Sequence, residues 1–175
     1  MQSLKSLEIR YLAKDAGTEG DSVVGRIIWD KPDRFLHETP SWTLCESNGE
    51  QWRYLKDQQT LIREAAPEQS EWLPETVLFS ASSGFEPSSL TANEDGRRIV
   101  RLRSKDPAVP GEGIIEFSPN GIQPVSVSFI SPDGANSYYR IVQWSEDLNP
   151  DTALFEPPEV PAENLIDFRS AGKRD

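Results

Sequence analysis

The chain has 175 residues, of which 29 are acidic and 18 basic, and its formal net charge is −11. This excess of negative charge disfavours nucleic acid and anionic bilayers as bulk partners, because the long-range field repels both. The length allows one domain with a sizeable core. The single cysteine, Cys45, excludes an intramolecular disulfide and a zinc site built on thiolates.

The first predicted element, residues 3–14, has two interpretations. Leu4, Leu7 and Tyr11 recur at helical spacing, whereas residues 8–14 also suit a strand. No apolar run in this region has the length that an export signal or a spanning helix needs. We therefore expect either a cytosolic protein or the mature form of an exported one.

The next segment, residues 25–35 with the sequence GRIIWDKPDRF, predicts a strand that ends in a basic residue and a proline. Pro32 stops the strand because it has no backbone N–H to donate. If the strand alternates regularly, Ile27 and Trp29 point to the same face as Lys31. A lone basic residue at this position indicates a catalytic edge, an anion site or the rim of a site for an apolar ligand.

Short alternating strands joined by tight turns dominate the remaining chain. Asn or Asp followed by Gly accepts positive φ and is typical of hairpins. The alternation predicts an antiparallel meander with one apolar face and one wet face. Four turns carry this residue pair, at Asn48-Gly49, Asp95-Gly96, Asn120-Gly121 and Asp133-Gly134. The apolar face comprises Val100, Leu102, Ile115, Phe117, Val125, Val127 and Phe129.

Helical patterns are sparse. Residues 67–80 have room for one or two short helical turns around Trp72, and Pro74 limits their length. Residues 149–161 are proline-rich and are predicted to be extended or looped. These features predict a mainly β chain with short helices.

Residue types that carry catalysis or bind metals are also sparse. The one histidine, His37, cannot form a histidine-based metal site, and because no nucleophile elbow accompanies it we interpret it as a rim or surface residue. Cys45 lies at an alternating position of a strand-like run, which favours a buried packing thiol. The basic stretch at residues 96–103 is interpreted as the wet face of a strand. Phosphate-binding loops, dinucleotide fingerprints and calcium-loop spacings are absent from the sequence. The sequence therefore favours a binding or carrier protein without cofactors over an enzyme.

Three stretches, taken in order, resemble the LolA family of periplasmic carriers of outer-membrane lipoproteins. They are GRIIWDKPDRF at residues 25–35, SNGEQWRYLKDQQTLIR at residues 47–63 and LFEPPEVPAENLIDF at residues 154–168. In that family a strand closes with a basic residue, a proline and then a phenylalanine. A hairpin with an aromatic pair follows, and a Phe-x-x-Pro segment lies near the end. The spacing between the blocks also fits, so the resemblance covers nearly the whole chain.

The resemblance implies an incomplete, strongly curved antiparallel β-barrel closed by short helices that act as a lid. It implies a single lipid-binding domain over residues 1–168, with a polar tail at residues 169–175 and the lid within residues 64–85. The concave apolar interior of such a barrel takes the acyl chains of a client. Burying these chains contributes about 0.8 kcal/mol per methylene, so a carrier needs a dry pocket.

The resemblance also assigns roles to residues. Lys31 stands where the family usually carries an arginine that holds the lid closed, and lysine keeps the charge but lacks the planar fork of donors. Phe35 matches an aromatic residue beside the cavity mouth, whereas His37 replaces a common aromatic. The implied lid latch is Lys31 with Pro32, and the implied lid residues are Trp72, Leu73, Val77, Leu78 and Phe79. The implied cavity residues are Ile27, Trp29, Phe35, Trp52, Tyr54, Val100, Leu102, Ile115, Phe117, Val125, Val127 and Phe129.

The function implied by the resemblance is that of a periplasmic chaperone for acylated lipoproteins. It would collect them, as a monomer, from an inner-membrane ABC-type exporter and pass them to an outer-membrane acceptor without covalent chemistry. Within the same fold, the client could instead be a glycolipid or another amphiphile. Two further classes remain open: a lipid-sensing regulatory or interaction domain, and an enzyme or solid β-sandwich without a cavity.

Overall fold

The computed structural model describes residues 4–15, 23–66, 85–105, 111–121, 123–130 and 136–169. Strands make up most of these residues, and the helices among them are two short 3₁₀ turns, η1 (Thr152–Phe155) and η2 (Ala162–Asn164). In chain order the strands are β1 (Ser6–Asp15), β2 (Val23–Asp30), β3 (Arg34–Glu38), β4 (Trp42–Ser47), β5 (Glu50–Leu55), β6 (Thr60–Ala65), β7 (Phe85–Ala92), β8 (Arg98–Ser104), β9 (Glu112–Phe117), β10 (Pro124–Ile130), β11 (Asn136–Glu146) and β12 (Leu165–Asp167).

The strands form one sheet in the order β12-β6-β5-β4-β3-β2-β1-β11-β10-β9-β8-β7. Successive strands pair antiparallel from β2 to β6 and from β7 to β11. The short strand β12 instead runs parallel to β6. Among the described strands the order ends at β7 on one side and at β12 on the other, so that the sheet they form is not closed. This confirms the predicted fold class of an incomplete antiparallel barrel, whereas most of the predicted lid, residues 67–84, lies outside the described residues.

The ambiguous first segment is a strand. Leu7, Ile9 and Tyr11 are buried on β1, so burial recurs at every second residue. A period of two is the side-chain period of a strand, and it outweighs the helical spacing of Leu4, Leu7 and Tyr11.

Three of the four predicted turns join successive strands. Gly49, Gly96 and Gly121 have φ angles of 77°, 75° and 73°, in the left-handed region where glycine has no Cβ penalty. These turns connect β4 to β5, β7 to β8 and β9 to β10. The fourth predicted turn, Asp133-Gly134, lies outside the described residues.

The chain divides into two compact units. Unit 1 comprises residues 1–10, 24–69 and 143–175, and unit 2 comprises residues 11–23 and 70–142. Each unit has its own cluster of buried apolar side chains. Cluster 1, in unit 1, contains Ile28, Leu36, Cys45, Trp52, Leu61 and Phe155, with Tyr54 and Val160 packed against it. Cluster 2, in unit 2, contains Phe85, Leu102, Ile115 and Val127, with Val100, Phe117, Phe129, Tyr139 and Ile141 packed against it.

The proline-rich segment at residues 149–161 lies mostly outside helices and strands, as predicted, but it contains η1. The Asp151 carboxylate caps this turn by accepting a hydrogen bond of 3.0 Å from the Ala153 backbone N–H. After η2 the chain enters β12, where Leu165 pairs with Leu61 of β6. The C-terminal segment therefore adds an edge strand to the sheet of unit 1.

Candidate functional site

The sheet of unit 1 buries apolar side chains on its first face, defined by Ile28, Leu36, Cys45 and Trp52. These four residues are partners across β2, β3, β4 and β5. Side chains of paired residues lie on the same face of a sheet, so the four form a row across it. All belong to cluster 1. We call this surface face 1.

Phe155 of the C-terminal segment covers face 1. Its backbone carbonyl accepts hydrogen bonds from Trp52 Nε1 at 3.2 Å and from Cys45 Sγ at 3.5 Å. The guanidinium carbon of Arg34 lies 4.9 Å from the centre of the Phe155 ring, within the range of a cation–π contact. These contacts give the Phe-x-x-Pro segment a structural role, which is to close one side of the unit 1 sheet.

A second row of buried residues lies on the opposite face of the same strands. Ile27 pairs with His37, and His37 pairs with Leu44. Each is a chain neighbour of a face 1 residue, so its side chain points the other way. Trp29 pairs with Phe35 on the same side, two residues along each strand. We call this surface face 2 and define it by Ile27, Trp29, Phe35, His37 and Leu44.

His37 is a core residue of face 2. Only 2% of it is exposed, and its ring centre lies 4.6 Å from that of Trp42 in an edge-on arrangement. The prediction of a rim or surface histidine is therefore wrong. The physical reason is its register, because His37 lies between two buried aliphatic residues, Ile27 and Leu44.

The implied cavity residues of unit 1 divide between the two faces. Trp52 packs in cluster 1 and Tyr54 packs against it, whereas Ile27, Trp29 and Phe35 lie on face 2. The structure thus does not bring the five together on one surface. Sequence reasoning also passed over Ile28, Leu36 and Leu44. Each of them is next in the chain to another buried residue, so burial does not alternate along these strands.

Most of the implied cavity residues of unit 2 come together in cluster 2. Val100, Ile115 and Val127 form a row of cross-strand partners that continues to Tyr139 on β11. The Tyr139 ring meets that of Tyr11 edge-on, with 5.3 Å between the ring centres. Cluster 2 thus brings together Val100, Leu102, Ile115, Phe117, Val127 and Phe129, as the sequence alternation predicts.

Val125 departs from that alternation. The pairing of β10 with β9 shifts between Pro124 and Ser126, so Val125 is an extra residue without a partner on β9. Such a bulge interrupts the two-residue period. Ser126, which lies between Val125 and Val127, is itself buried, and its hydroxyl donates to Glu116 Oε2 at 3.0 Å. The regular alternation predicted through Val125 is therefore wrong.

Lys31 and Pro32 lie in the exposed turn between β2 and β3. The Lys31 ammonium lies 5.0 Å from the centre of the Trp29 ring, a cation–π distance, and its backbone N–H donates to the Lys5 carbonyl at 2.9 Å. The implied lid residues Trp72, Leu73, Val77, Leu78 and Phe79 all lie outside the described residues. The latch between Lys31 and the lid therefore stays a prediction.

Within the described parts of the chain, no group of three or more His, Cys, Asp or Glu side chains is arranged to hold a metal ion. None of the helices in these described residues has the length and apolar character required to cross a membrane.

Comparison with known proteins identifies the fold through structure alone. No protein-family model matches the sequence. No curated protein matches it either. The structure matches that of an uncharacterized conserved protein from Thermus thermophilus with a TM-score of 0.59 and 10% identity, over 94% of this chain and 91% of that chain. The two proteins therefore share a fold.

Other solved structures match with lower TM-scores. A LolA superfamily protein from Nitrosomonas europaea matches with a TM-score of 0.46 and 9% identity, over 89% of this chain and 91% of that one. A chain of the MucA/MucB complex from Pseudomonas aeruginosa matches with a TM-score of 0.32 and 11% identity, over 88% of this chain and 56% of that one.

Proposed function

We propose that the protein is a periplasmic carrier that binds the acyl chains of lipoproteins and ferries them from the inner to the outer membrane. The observation that carries the proposal is face 2, a second apolar layer on the unit 1 sheet. The ordered resemblance to LolA carriers in the sequence supports the same conclusion.

Two neighbouring isoleucines on β2 are evidence that face 2 is an apolar layer of its own. Ile27 and Ile28 are each 1% exposed although they point to opposite sides of one strand. Cluster 1 and Phe155 account for the burial of Ile28. Ile27 and Leu44 belong to neither cluster described above. In the proposal, the protein atoms that cover Ile27 and Leu44 move aside when a client binds, and acyl chains take their place.

The energetics of such an exchange suit a carrier. Each methylene removed from water contributes about 0.8 kcal/mol, so an acyl chain gains much from an apolar surface. Release then requires a lid whose closed state is only marginally preferred. We assign the lid to residues 64–85 and the latch to Lys31 and Pro32. Lysine offers a point charge where an arginine offers a planar fork, so the latch is weaker than an arginine latch.

The proposed partners follow from the same role. An inner-membrane ABC-type exporter loads the carrier, and an outer-membrane acceptor unloads it. The carrier acts as a monomer and performs no covalent chemistry. The proposed client is an acylated lipoprotein. A glycolipid is the alternative client, and the binding experiment distinguishes between the two.

The test uses Ile27→Ala and Ile28→Ala, which remove the same atoms from neighbouring positions of equal exposure. Each variant is expected to lower the free energy of unfolding by about 2–5 kcal/mol, because each leaves a cavity in a buried layer. Only Ile27→Ala should weaken binding of a triacylated lipopeptide, by about tenfold or more, because only Ile27 would contact the chains. Displacement of an apolar dye, well below both melting temperatures, measures the affinity.

Four further measurements complete the binding experiment. The unacylated peptide should displace no dye, and a glycolipid that competes better than the lipopeptide would change the proposed client. Lys31→Leu should speed client release without lowering the free energy of unfolding, and an unchanged release rate would refute the latch. Protein isolated from a bacterial periplasm should carry lipid in native mass spectrometry. Equal loss of affinity in both isoleucine variants, or a protein that is always empty, would overturn the carrier proposal.

A further inference from the structure

A cleft of about 360 Å³ lies in unit 1, beside the start of β2 and the end of β3. Its charged lining consists of Arg10, Arg26, Lys56 and Glu38. Three cations thus face one carboxylate, in a chain whose formal net charge is −11. Charges beyond about 10 Å are largely screened at physiological salt, so these nearby groups determine what the cleft attracts.

A partly buried carboxylate outside the lining holds two of the cations in place. Glu8 Oε1 accepts hydrogen bonds from Arg26 Nε at 3.0 Å and from Arg10 Nε at 3.1 Å. Burial raises the pKa of Glu8, but the hydrogen bonds and charges of Arg26 and Arg10 together leave it below its usual value. One ionised carboxylate balances only one of the two guanidiniums. The trio therefore carries a net positive charge.

The third cation is also fixed in position. Lys56 Nζ donates to Glu38 Oε1 at 3.0 Å and to the Thr39 carbonyl at 2.7 Å. An ammonium has three N–H donors and a guanidinium five, which is more than these bonds to Glu8, Glu38 and Thr39 occupy. Because the cations are already oriented, an incoming anion would order few side chains on binding.

We propose that this cleft binds a phosphate group carried on a larger ligand. Phosphate accepts several charge-assisted hydrogen bonds at once, and arginine matches its geometry with paired donors. The cleft has room for more than the phosphate alone, and Val24 in its lining is 54% exposed, so it offers an apolar contact to the remainder of the ligand. Two sources share this chemistry, a phospholipid headgroup and a soluble phosphate ester. The site is separate from face 2 and does not depend on the carrier proposal.

The experiment measures phosphate binding to the full chain and to charge variants. Isothermal titration with inorganic phosphate and with glycerol 3-phosphate, at low salt and pH 7.5, should give saturable binding that weakens as salt is added. Arg26→Gln and Lys56→Gln should each weaken it by about tenfold, because each removes charge-assisted donors. Arg140→Gln, which changes an exposed arginine of β11 outside the cleft, should leave the affinity unchanged.

Glu8→Gln separates an anion site from a purely structural ion-pair cluster. Removing the carboxylate leaves both guanidiniums uncompensated, so phosphate should bind more tightly, by about threefold or more. A structural cluster would lose thermal stability in this variant without any gain in phosphate affinity. The opposite directions expected for Glu8→Gln and Arg26→Gln keep the test decisive even if both variants are less stable.

Vesicles distinguish the two sources of phosphate. Co-sedimentation with phosphatidylcholine vesicles containing about a fifth phosphatidylglycerol, lost in Arg26→Gln, would support the site and identify a lipid headgroup. Binding of the soluble phosphates without co-sedimentation would support the site and identify a soluble ester. No binding in any arm, or equal loss in Arg26→Gln and Arg140→Gln, would overturn the proposal.

Discussion

The thiol of Cys45 occupies one of the most protected positions in unit 1. Cys45 is fully buried on face 1, and its Sγ donates to the Phe155 carbonyl at 3.5 Å. Burial raises the pKa of this thiol to about 12, with a smaller contribution from the nearby charge of Glu46. The nucleophilic form of cysteine is the thiolate, so the folded protein should carry an unreactive thiol.

This state of Cys45 gives a prediction about labelling and pH. At pH 8 an aromatic disulfide reagent should label the native thiol about a thousandfold more slowly than the unfolded one, in line with the smaller thiolate fraction. The folded-state pKa lies above the ordinary value of 9.0, so the neutral thiol stabilises the fold fully below pH 9. That contribution should be lost as the pH rises from about 9 towards about 12.

Denaturant titrations of the wild type and Cys45→Ala between pH 8 and 11 measure this loss. The difference in unfolding free energy between the two proteins should shrink as the pH rises, because alanine has no proton to lose. Rapid labelling of the native protein at pH 8, or a difference that does not change with pH, would contradict the assignment.

The C-terminal segment covers face 1, and we expect its contribution to the free energy of unfolding to come mainly from one side chain. Phe155 is buried in cluster 1, whereas its neighbour Leu154 is 36% exposed. Replacing Phe155 with alanine should lower the free energy of unfolding by about 3–5 kcal/mol, because it empties the space above the sheet. Leu154→Ala should change it by no more than about 0.5 kcal/mol.

Denaturant unfolding followed by tryptophan fluorescence measures both changes. Trp52 reports on the segment directly, because its indole N–H donates to the Phe155 carbonyl. Similar effects of the two substitutions would show that Phe155 is not the anchor of this segment.

For strands with one apolar face the buried residues could be predicted from the sequence, whereas for strands buried on both faces they could not. In unit 2 the row Val100, Ile115 and Val127 follows from alternation and from turns whose glycines allow positive φ. In unit 1 adjacent residues such as Ile27 and Ile28 are both buried. A run buried on both sides loses the period of two that identifies a face.

Features that depend on distant partners were equally inaccessible from local patterns. The burial of His37 follows from its register opposite Ile27 and Leu44, which no single strand encodes. The bulge at Val125 breaks the alternation within an otherwise regular strand. The cation cleft requires Glu8 of β1 to meet Arg26 of β2, and their pairing appears only in the folded sheet. The residues of the candidate site are therefore brought together by strand register, which the three sequence blocks do not specify.

At the scale of the whole molecule, the described residues build two apolar clusters instead of one. Cluster 1 draws on strands β2 to β6 and the C-terminal segment, and cluster 2 draws on β7 to β11. Each cluster is built largely from residues of its own compact unit. Regions with separate cores can open separately, and amide exchange resolves such openings along the chain.

Leu61 and Leu102 form a matched pair that tests this division. Each is 4% exposed, Leu61 in cluster 1 and Leu102 in cluster 2, and each loses the same atoms on substitution by alanine. Both variants should lose about 2–5 kcal/mol of unfolding free energy. Hydrogen exchange followed by mass spectrometry should rise mainly in β4 to β6 for Leu61→Ala and mainly in β8 to β10 for Leu102→Ala. Faster exchange over both sets of strands in either variant would mean that the two clusters open as one cooperative unit.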